Sequence, residues 1–404
     1  MPLALLRLAA AVVVLWVLLG AAPASAIDAY TLGQKLSAES RLLGSRAGVR
    51  VVDLETDRVL FSAGENRVLA PASNQKLYTT ASALLRFGPG GVLTTTAQVL
   101  PGKEVDGVGS LRGDLYLVGG GDPSLDDADL GELAVKLTRM AGVRRVTGGV
   151  VGDDSQFDRS RGLDPFIGGS LGALTWGHGR SGGQGPAQLA AERLQRLLGS
   201  RGVDFGRRPR AGRLRAAANG TGDPVDLATD NSPPMQQLIT TTNVPSDNFY
   251  AEILVKALGA NFGAGGSTRA GLDVMRADLL SFGIRPQLAD GSGLSRSDRT
   301  SPRQVVRLLE RMAADPRLAK PWLASLPVVG RSGTLRDRGR GTAAQDACRA
   351  KTGTLSDVSA LSGYCVTRND RTLAFSVLAN GVNVSGAKAA ETRIATAIAR
   401  YDGG

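Results

Sequence analysis

The chain has 404 residues, of which 42% are hydrophobic and 4% are aromatic, and its formal net charge is +11. This length and apolar content support a large core and more than one domain, while scattered arginines and scarce aromatic side chains argue against a nucleic-acid partner. One histidine and two cysteines argue against a structural zinc site, and we expect neither a metal nor a cofactor.

The first 26 residues have the pattern of a secretory signal peptide. Arg7 precedes the apolar run Leu8–Leu19, and Ala24-Ser25-Ala26 is typical of a cleavage site. We therefore expect an exported, extracytoplasmic protein, in the cell wall or periplasmic space or secreted. Membrane association is expected only if this segment is retained.

The mature chain changes character twice, near residues 91 and 232, so we expect residues 27–90 and 232–404 to form one domain around an insert at 91–231. The predicted fold class is α/β, split by an inserted α+β domain. Strands are predicted over 49–54, 58–61, 93–100, 114–118, 143–151, 348–355, 359–367 and 372–380. Helices are predicted over 30–43, from Ser73 to Gly88, over 130–141, 187–198, 235–240, from Phe249 to Gly259, and over 272–280, 305–312 and 387–401. The Gly-rich segment 159–185 is predicted to be loop.

Ala72-Ser73-Asn74-Gln75-Lys76 is the segment on which a chemical interpretation depends. It places Ser73 at the start of the second helix and Lys76 one turn later on the same face. A serine hydroxyl is a weak nucleophile until a neighbouring base takes its proton, and a desolvated lysine can be that base. The alternative for an isolated S-x-x-K is an N-cap serine followed by an exposed lysine.

Two further motifs follow in a meaningful order. Ser246-Asp247-Asn248 has the pattern S-x-N in a loop before a helix, and Lys351-Thr352-Gly353-Thr354 has the pattern K-T-G on a strand that opens a hairpin. Each alone is explained by a cap or an exposed strand edge, whereas S-x-x-K, S-x-N and K-T-G in this order indicate a serine acyl-transfer site. A second S-x-x-K, Ser385 to Lys388, follows K-T-G and fits a helix cap better.

With these motifs the chain resembles the penicillin-binding proteins, and in particular the D-Ala-D-Ala carboxypeptidase/endopeptidase family with an inserted domain (the class C low-molecular-mass type). The resemblance implies a serine β-lactamase/DD-peptidase-like domain, in which an antiparallel sheet is flanked by helices. Larger members carry a second insertion, which is absent here or reduced to 159–185. The resemblance extends to Pro71–Lys76, Gly113–Leu125, Gly152–Asp158, Ser246–Glu252, Asp290–Ser295, Lys351–Leu355 and Leu361–Cys365.

The resemblance also implies a role for each motif residue. Ser73 would attack the carbonyl of the penultimate D-Ala, and the base would be Lys76 or the second motif assisted by Lys76. Ser246 would relay a proton to the leaving amine, and Asn248 would hold Lys76 or the substrate. Lys351, Thr352, Gly353 and Thr354 would bind substrate, with the lysine and both threonines receiving the terminal carboxylate and the Ser73 and Thr354 N–H groups forming the oxyanion hole.

The expected substrates are peptidoglycan stem peptides, and β-lactam antibiotics are expected as covalent inhibitors. DD-endopeptidase activity can coexist with carboxypeptidase activity. A β-lactamase and a catalytically idle relative that binds cell wall are the alternatives. We also expect the charge of Lys351, together with burial, to lower the pKa of Lys76.

Cys348 and Cys365 lie on either side of the predicted turn 355–358, at positions that can face each other. Because export permits disulfides, we expect the two to be bonded. The alternative is two buried free thiols.

Overall fold

The structure is a computed structural model that describes residues 26–162, 164–214 and 223–403. The predicted signal peptide, apart from Ala26, lies outside the described residues. The strands are β1 Ala47–Asp53, β2 Val59–Ala63, β3 Thr94–Val99, β4 Ser110–Leu111, β5 Leu115–Gly119, β6 Arg145–Val146, β7 Val150–Asp153, β8 Asp204–Phe205, β9 Arg210–Ala211, β10 Val225–Asn231, β11 Cys348–Leu355, β12 Val358–Val366 and β13 Thr372–Asn380. The helices are α1 Ala29–Leu42, α2 Gln75–Phe87, α3 Asp127–Val135, α4 Pro186–Gly199, α5 Met235–Asn243, α6 Asn248–Phe262, α7 Thr268–Ser281, α8 Pro302–Ala314, α9 Ala319–Ala324 and α10 Val384–Ala399.

The main sheet joins the two ends of the chain. Its strand order is β11-β12-β13-β1-β2, and every neighbouring pair is antiparallel. Because side chains alternate along a strand, Phe375 and Val377 of β13 pack toward α1 and α10, whereas Ala374 and Leu378 pack toward α8 and the helices behind it. Burial on both faces explains why these strands are nearly continuous apolar runs. The predicted antiparallel sheet flanked by helices is confirmed.

Residues 94–231 contain two smaller sheets, of strand order β10-β3-β5-β7-β9 and β4-β6-β8. Leucines and valines of these strands pack with α3 and α4 in a core cluster of their own. The single strand predicted over 143–151 is wrong, because β6 and β7 belong to different sheets. Between them Gly148 approaches Gly113 so closely that its N–H donates to the Gly113 carbonyl at 2.7 Å, and the chain turns there.

The predicted end of α6 at Gly259 is also wrong. The helix continues three residues past Gly259, because this glycine is where α7 packs closely against α6. A β-carbon at Gly259 would lie 2.7 Å from the Gly271 nitrogen, and one at Gly271 would lie 1.8 Å from the Val255 carbonyl oxygen. The two glycines therefore permit a close helix crossing rather than a helix end. The short helix α9 was not predicted.

Cys348 and Cys365 form a disulfide bond across the β11–β12 pair. The prediction of this bond is confirmed, and the alternative of two free thiols is excluded. The backbone N–H and carbonyl groups of Cys348 bond to Ala344 and Val329, away from β12. The two cysteines are thus a non-hydrogen-bonded pair, the arrangement in which antiparallel side chains come closest. Over the residues described, we find no helix with the length and apolarity needed to cross a membrane.

Candidate active site

The S-x-x-K segment lies at the start of α2, as its spacing predicts. A short 3₁₀ turn, Ala72–Asn74, leads directly into the helix, and Gly88 with φ 73° ends it. Leu77, Ala81 and Leu84 are buried, which fixes the helix in the core. Ala72 has φ 47°, in the left-handed region that a β-carbon disfavours. The residue before Ser73 is therefore held in a strained conformation by its surroundings.

Lys76 is fully buried next to Ser73. Its Nζ lies 3.1 Å from Ser73 Oγ, 2.6 Å from Asn248 Oδ1 and 2.7 Å from the Ser292 carbonyl oxygen. The amide and carbonyl oxygens only accept hydrogen bonds, whereas a serine hydroxyl can also donate one. A neutral lysine, with two N–H donors and one lone pair, satisfies this set completely. The arrangement therefore fits a lysine that receives the Ser73 proton.

Burial is the main reason why the pKa of Lys76 falls from its usual value near 10.5 to about 8. Carboxylates oppose this shift, with Glu252 the strongest, followed by Asp290. The expected direction and the expected contribution of burial are correct, whereas the charge of Lys351 is not among the main causes. Lys76 instead affects Lys351, because burial first and then the charge of Lys76 hold the pKa of Lys351 well below its usual value.

The loop behind Lys76 is organised by buried carboxylates. Glu252 Oε1 accepts from the N–H groups of Gly291 and Ser292 at 3.0 and 2.8 Å, which positions the Ser292 carbonyl for Lys76. Asp290 accepts from the next turn of the same loop. The roles of Ser292 and Glu252 were not predicted. A signal was present, since Glu252 interrupts the apolar residues Phe249 and Ile253 on a buried helix.

The second motif faces Ser73 from the other side of the cleft. Ser246 has φ 67°, also in the left-handed region, and its Oγ accepts a hydrogen bond from Lys351 Nζ at 2.8 Å. Asp247 caps α6 by accepting from the Tyr250 N–H. Asn248 gives its oxygen to Lys76, and its Nδ2 donates to the Phe166 carbonyl at 2.7 Å. The side-chain amide is thereby fixed in one orientation.

The third motif lies on the edge strand β11. Lys351 and Gly353 face the Ala72–Asn74 turn, where Asn74 Nδ2 donates to the Lys351 carbonyl at 3.1 Å. Thr352 and Thr354 line the cleft instead. Gly353, expected to bind substrate, does not line the cleft, because Pro71 and Ala72 fill the space beside its α-carbon.

The outer side of β11 is only partly covered. The Ala350 N–H donates to Pro327, and the Val329 N–H to Cys348, so the first three residues have a partner on that side. By strand alternation the N–H groups of Thr352 and Thr354 point the same way. Among the described residues, no strand pairs with β11 there.

These motifs meet at an open cleft of about 620 Å³. It brings together Ser73, Ser246, Asn248, Thr352 and Thr354, with Lys76 and Lys351 buried immediately behind. Gly-rich segment 159–185, predicted only as loop, contributes Asp164 and Phe166. The remaining lining residues are Gly293, Leu294, Arg296, Thr334, Leu355 and Ser356. No cluster of three or more His, Cys, Asp or Glu side chains is arranged for a metal in the described part of the chain.

Comparison with known proteins agrees with this geometry. The family model described as "D-Ala-D-Ala carboxypeptidase 3 (S13) family" matches residues 31–167 and 180–401. The chain belongs to this family. It is 32% identical to a D-alanyl-D-alanine carboxypeptidase of Actinomadura sp., over 96% of this chain and 88% of that protein. It is 27% identical to Carboxypeptidase DacB of Mycolicibacterium smegmatis, over 83% and 77%. The predicted family and enzyme class, a serine-type D-Ala-D-Ala carboxypeptidase, are confirmed.

Solved structures confirm the predicted fold class. Penicillin binding protein 4 of Haemophilus influenzae matches with a TM-score of 0.75 at 22% identity, over 89% of this chain and 97% of that one. A predatory peptidoglycan endopeptidase of Bdellovibrio bacteriovorus matches with a TM-score of 0.57 at 18% identity, over 82% and 85%. The Actinomadura alignment spans 483 positions, more than the 404 residues of this chain, so it contains gaps opposite residues that this carboxypeptidase lacks.

Proposed function

We propose that this carboxypeptidase is exported and removes the terminal D-Ala from peptidoglycan stem peptides through an acyl-enzyme on Ser73. One observation carries the proposal: Lys76 Nζ lies 3.1 Å from Ser73 Oγ, and its two other partners are pure acceptors. When Lys76 is neutral and donates to these two acceptors, its lone pair is directed at the nucleophile. Export is supported by the signal-peptide pattern, and residues 91–231 would be the inserted domain.

Acylation would begin when Ser73 Oγ attacks the carbonyl of the penultimate D-Ala and Lys76 accepts the hydroxyl proton. The Ser73 and Thr354 N–H groups would stabilise the oxyanion. Ser246, on the opposite wall and hydrogen-bonded to Lys351, would deliver a proton to the departing amine. Water would then hydrolyse the ester and release Ser73.

The open half of β11 gives the substrate a place to bind. An extended peptide can add to an exposed strand edge through main-chain hydrogen bonds. The Thr352 and Thr354 hydroxyls, on the cleft side, would receive the terminal carboxylate. Within the described parts of the chain Lys351 Nζ bonds to the Ser246 hydroxyl and the Thr352 carbonyl but to no carboxylate, and burial lowers its pKa. A carboxylate bound nearby would supply a negative charge and favour the ammonium form.

Labelling with a fluorescent penicillin tests this proposal and separates it from its rivals. We expect a stable adduct on Ser73, located by peptide mapping, and no adduct in Ser73→Ala. Ser385→Ala is the matched control, since Ser385 belongs to the other S-x-x-K, and should label normally. Rapid drug turnover would instead indicate a β-lactamase, and absence of any adduct an idle wall-binding protein. Labelled Ser385 would refute the assignment.

DD-endopeptidase activity is a second candidate, suggested by the similarity of the fold to a peptidoglycan endopeptidase of Bdellovibrio bacteriovorus. Cross-linked muropeptides should then be cleaved by the same serine. Loss of this activity in Ser73→Ala, measured by mass spectrometry of the products, would support a shared site. Activity retained in that variant would exclude it.

A further inference from the structure

The only histidine of the chain, His178, contacts the S-x-N motif from the Gly-rich segment. Its Nε2 lies 2.9 Å from Asp247 Oδ2, and its Nδ1 lies 3.3 Å from the Gly168 carbonyl oxygen. The ring also packs against Phe249 and Tyr250, with centroids 4.5 and 5.9 Å away. His178 lies between the two stretches that match the family model, 31–167 and 180–401.

Both partners of the imidazole are acceptors. A neutral histidine has one N–H and can satisfy only one of them, whereas the imidazolium has two and satisfies both. The geometry therefore matches the charged form. The hydrogen bond to Asp247 is the main reason why the pKa of His178 is raised above 6.5, and burial opposes this shift.

The strained backbone of His178 indicates that its contacts stabilise this conformation by more free energy than the strain costs. His178 has φ 61°, in the left-handed region, which is costly for any residue with a β-carbon even though histidine enters it more readily than most. Such a conformation persists only where the surroundings impose it. Here the imposing contacts are the two hydrogen bonds and the aromatic packing on α6.

The contacts of His178 lead to the catalytic lysine in three steps. Gly168 ends the 3₁₀ turn Pro165–Ile167, so a bond to its carbonyl fixes that turn. The Phe166 carbonyl in the turn accepts from Asn248 Nδ2, and Asn248 Oδ1 in turn accepts from Lys76. Release of the turn would free the Asn248 amide to rotate away from Lys76.

We propose that His178, as the imidazolium, is a positioning residue that fastens the 164–179 segment to Asp247 and so holds Asn248 in place for acyl transfer. This inference rests on the proposed function of the cleft. Asp247 is the charged group that faces the ring from α6. Tyr250, the other titratable neighbour there, stays neutral because burial raises its pKa further. On the segment itself, Arg180 stacks on Trp176.

The first test is a pH profile of penicillin acylation. His178→Asn suits the left-handed backbone but is too short to span both acceptors. We expect it to lower the acylation rate constant about tenfold at pH 6, the scale of one charge-assisted hydrogen bond, and much less at pH 9. His178→Gly, which also tolerates this backbone, should behave alike. A rate ratio that is constant across pH would indicate a purely structural role and overturn the proposal.

The second test follows the ring itself by NMR, which is unambiguous because the untagged chain has one histidine. We expect His178 to titrate above 6.5 in the wild type. Asp247→Asn keeps a helix-capping oxygen but removes the charge, and should return the titration to 6.5 or lower. Titration of His178 at 6.5 in the wild type, or an unchanged titration in Asp247→Asn, would overturn the proposed contact between the imidazolium and Asp247. Because this measurement needs no substrate, it decides the inference even if penicillin labelling refutes the proposed function.

Discussion

The tight contact between β11 and the turn that carries Ser73 makes Gly353→Ala a sharp test of the site's architecture. A β-carbon at Gly353 would lie 2.6 Å from the Pro71 carbonyl oxygen, 3.1 Å from Ala360 Cβ and 3.2 Å from Ala72 Cβ. None of these atoms can rotate away, because each is backbone or the first atom of a side chain. The strand and the turn must therefore separate by about 0.8 Å to restore ordinary contact.

This separation has two measurable costs. Overpacking of this kind destabilises proteins by about 1–3 kcal/mol. It would also lengthen the 3.1 Å bond from Asn74 to the Lys351 carbonyl beyond hydrogen-bonding distance, and move Ser73 relative to β11. A displacement on the order of 1 Å at a reacting group can reduce the rate about 100-fold.

Thermal unfolding and the penicillin acylation rate together provide the assay. Gly33→Ala is the matched control, because Gly33 lies within α1 and has no atom within 4 Å of its added β-carbon. That change should stabilise the helix by about 0.5–1 kcal/mol and leave acylation unchanged. Wild-type melting temperature and acylation rate in Gly353→Ala would refute the reasoning. Lost acylation with unchanged stability would instead favour a direct contact of Gly353 with substrate.

Three further predictions concern charge, substrate and the disulfide. Since only neutral Lys76 can accept the Ser73 proton, the acylation rate should rise about tenfold per pH unit and level off above about pH 8, the pKa of this lysine. Lys76→Arg should be inactive because arginine stays charged, and near-normal acylation in this variant would contradict the role of Lys76 as the base. Amidation of the terminal D-Ala should lower kcat/KM by about 100-fold, measured as D-Ala release from pentapeptide and its amide, because under the proposed function the carboxylate would pair with Lys351. Equal rates would show that the carboxylate is not recognised. Replacing Cys348 and Cys365 by serine should lower the free energy of unfolding by about 2–4 kcal/mol in denaturant titrations, and an unchanged midpoint would contradict this.

The main sheet and the three motifs could be predicted because their signals are local. The observed bounds of β11 and β13, Cys348–Leu355 and Thr372–Asn380, match the prediction, since each is an apolar run limited by turn residues. Ser73 and Lys76 share a helix face by spacing alone. The same local logic placed the two cysteines opposite each other.

What could not be predicted depends on contacts between distant segments. Gly259 has the local pattern of a helix end, and only the approach of α7 gives it another purpose. Glu252 acts through a loop 39 residues later in the chain, and Phe166 meets Asn248 across 82 residues. That burial, rather than the charge of Lys351, dominates the lowered pKa of Lys76 also required structure, because the extent of burial cannot be measured from neighbouring residues.

The partial covering of β11 also bears on how copies of the protein behave at high concentration. A bare sheet edge invites the edge of another molecule, which is a common origin of aggregation. Here Pro327 and Val329 occupy the first part of the edge, and the disulfide fixes the strand's start. The stretch left open, from Lys351 to Leu355, is as long as β2 and can pair with a short extended segment. The partial covering therefore confines any edge pairing between copies of the protein to this stretch beside the cleft.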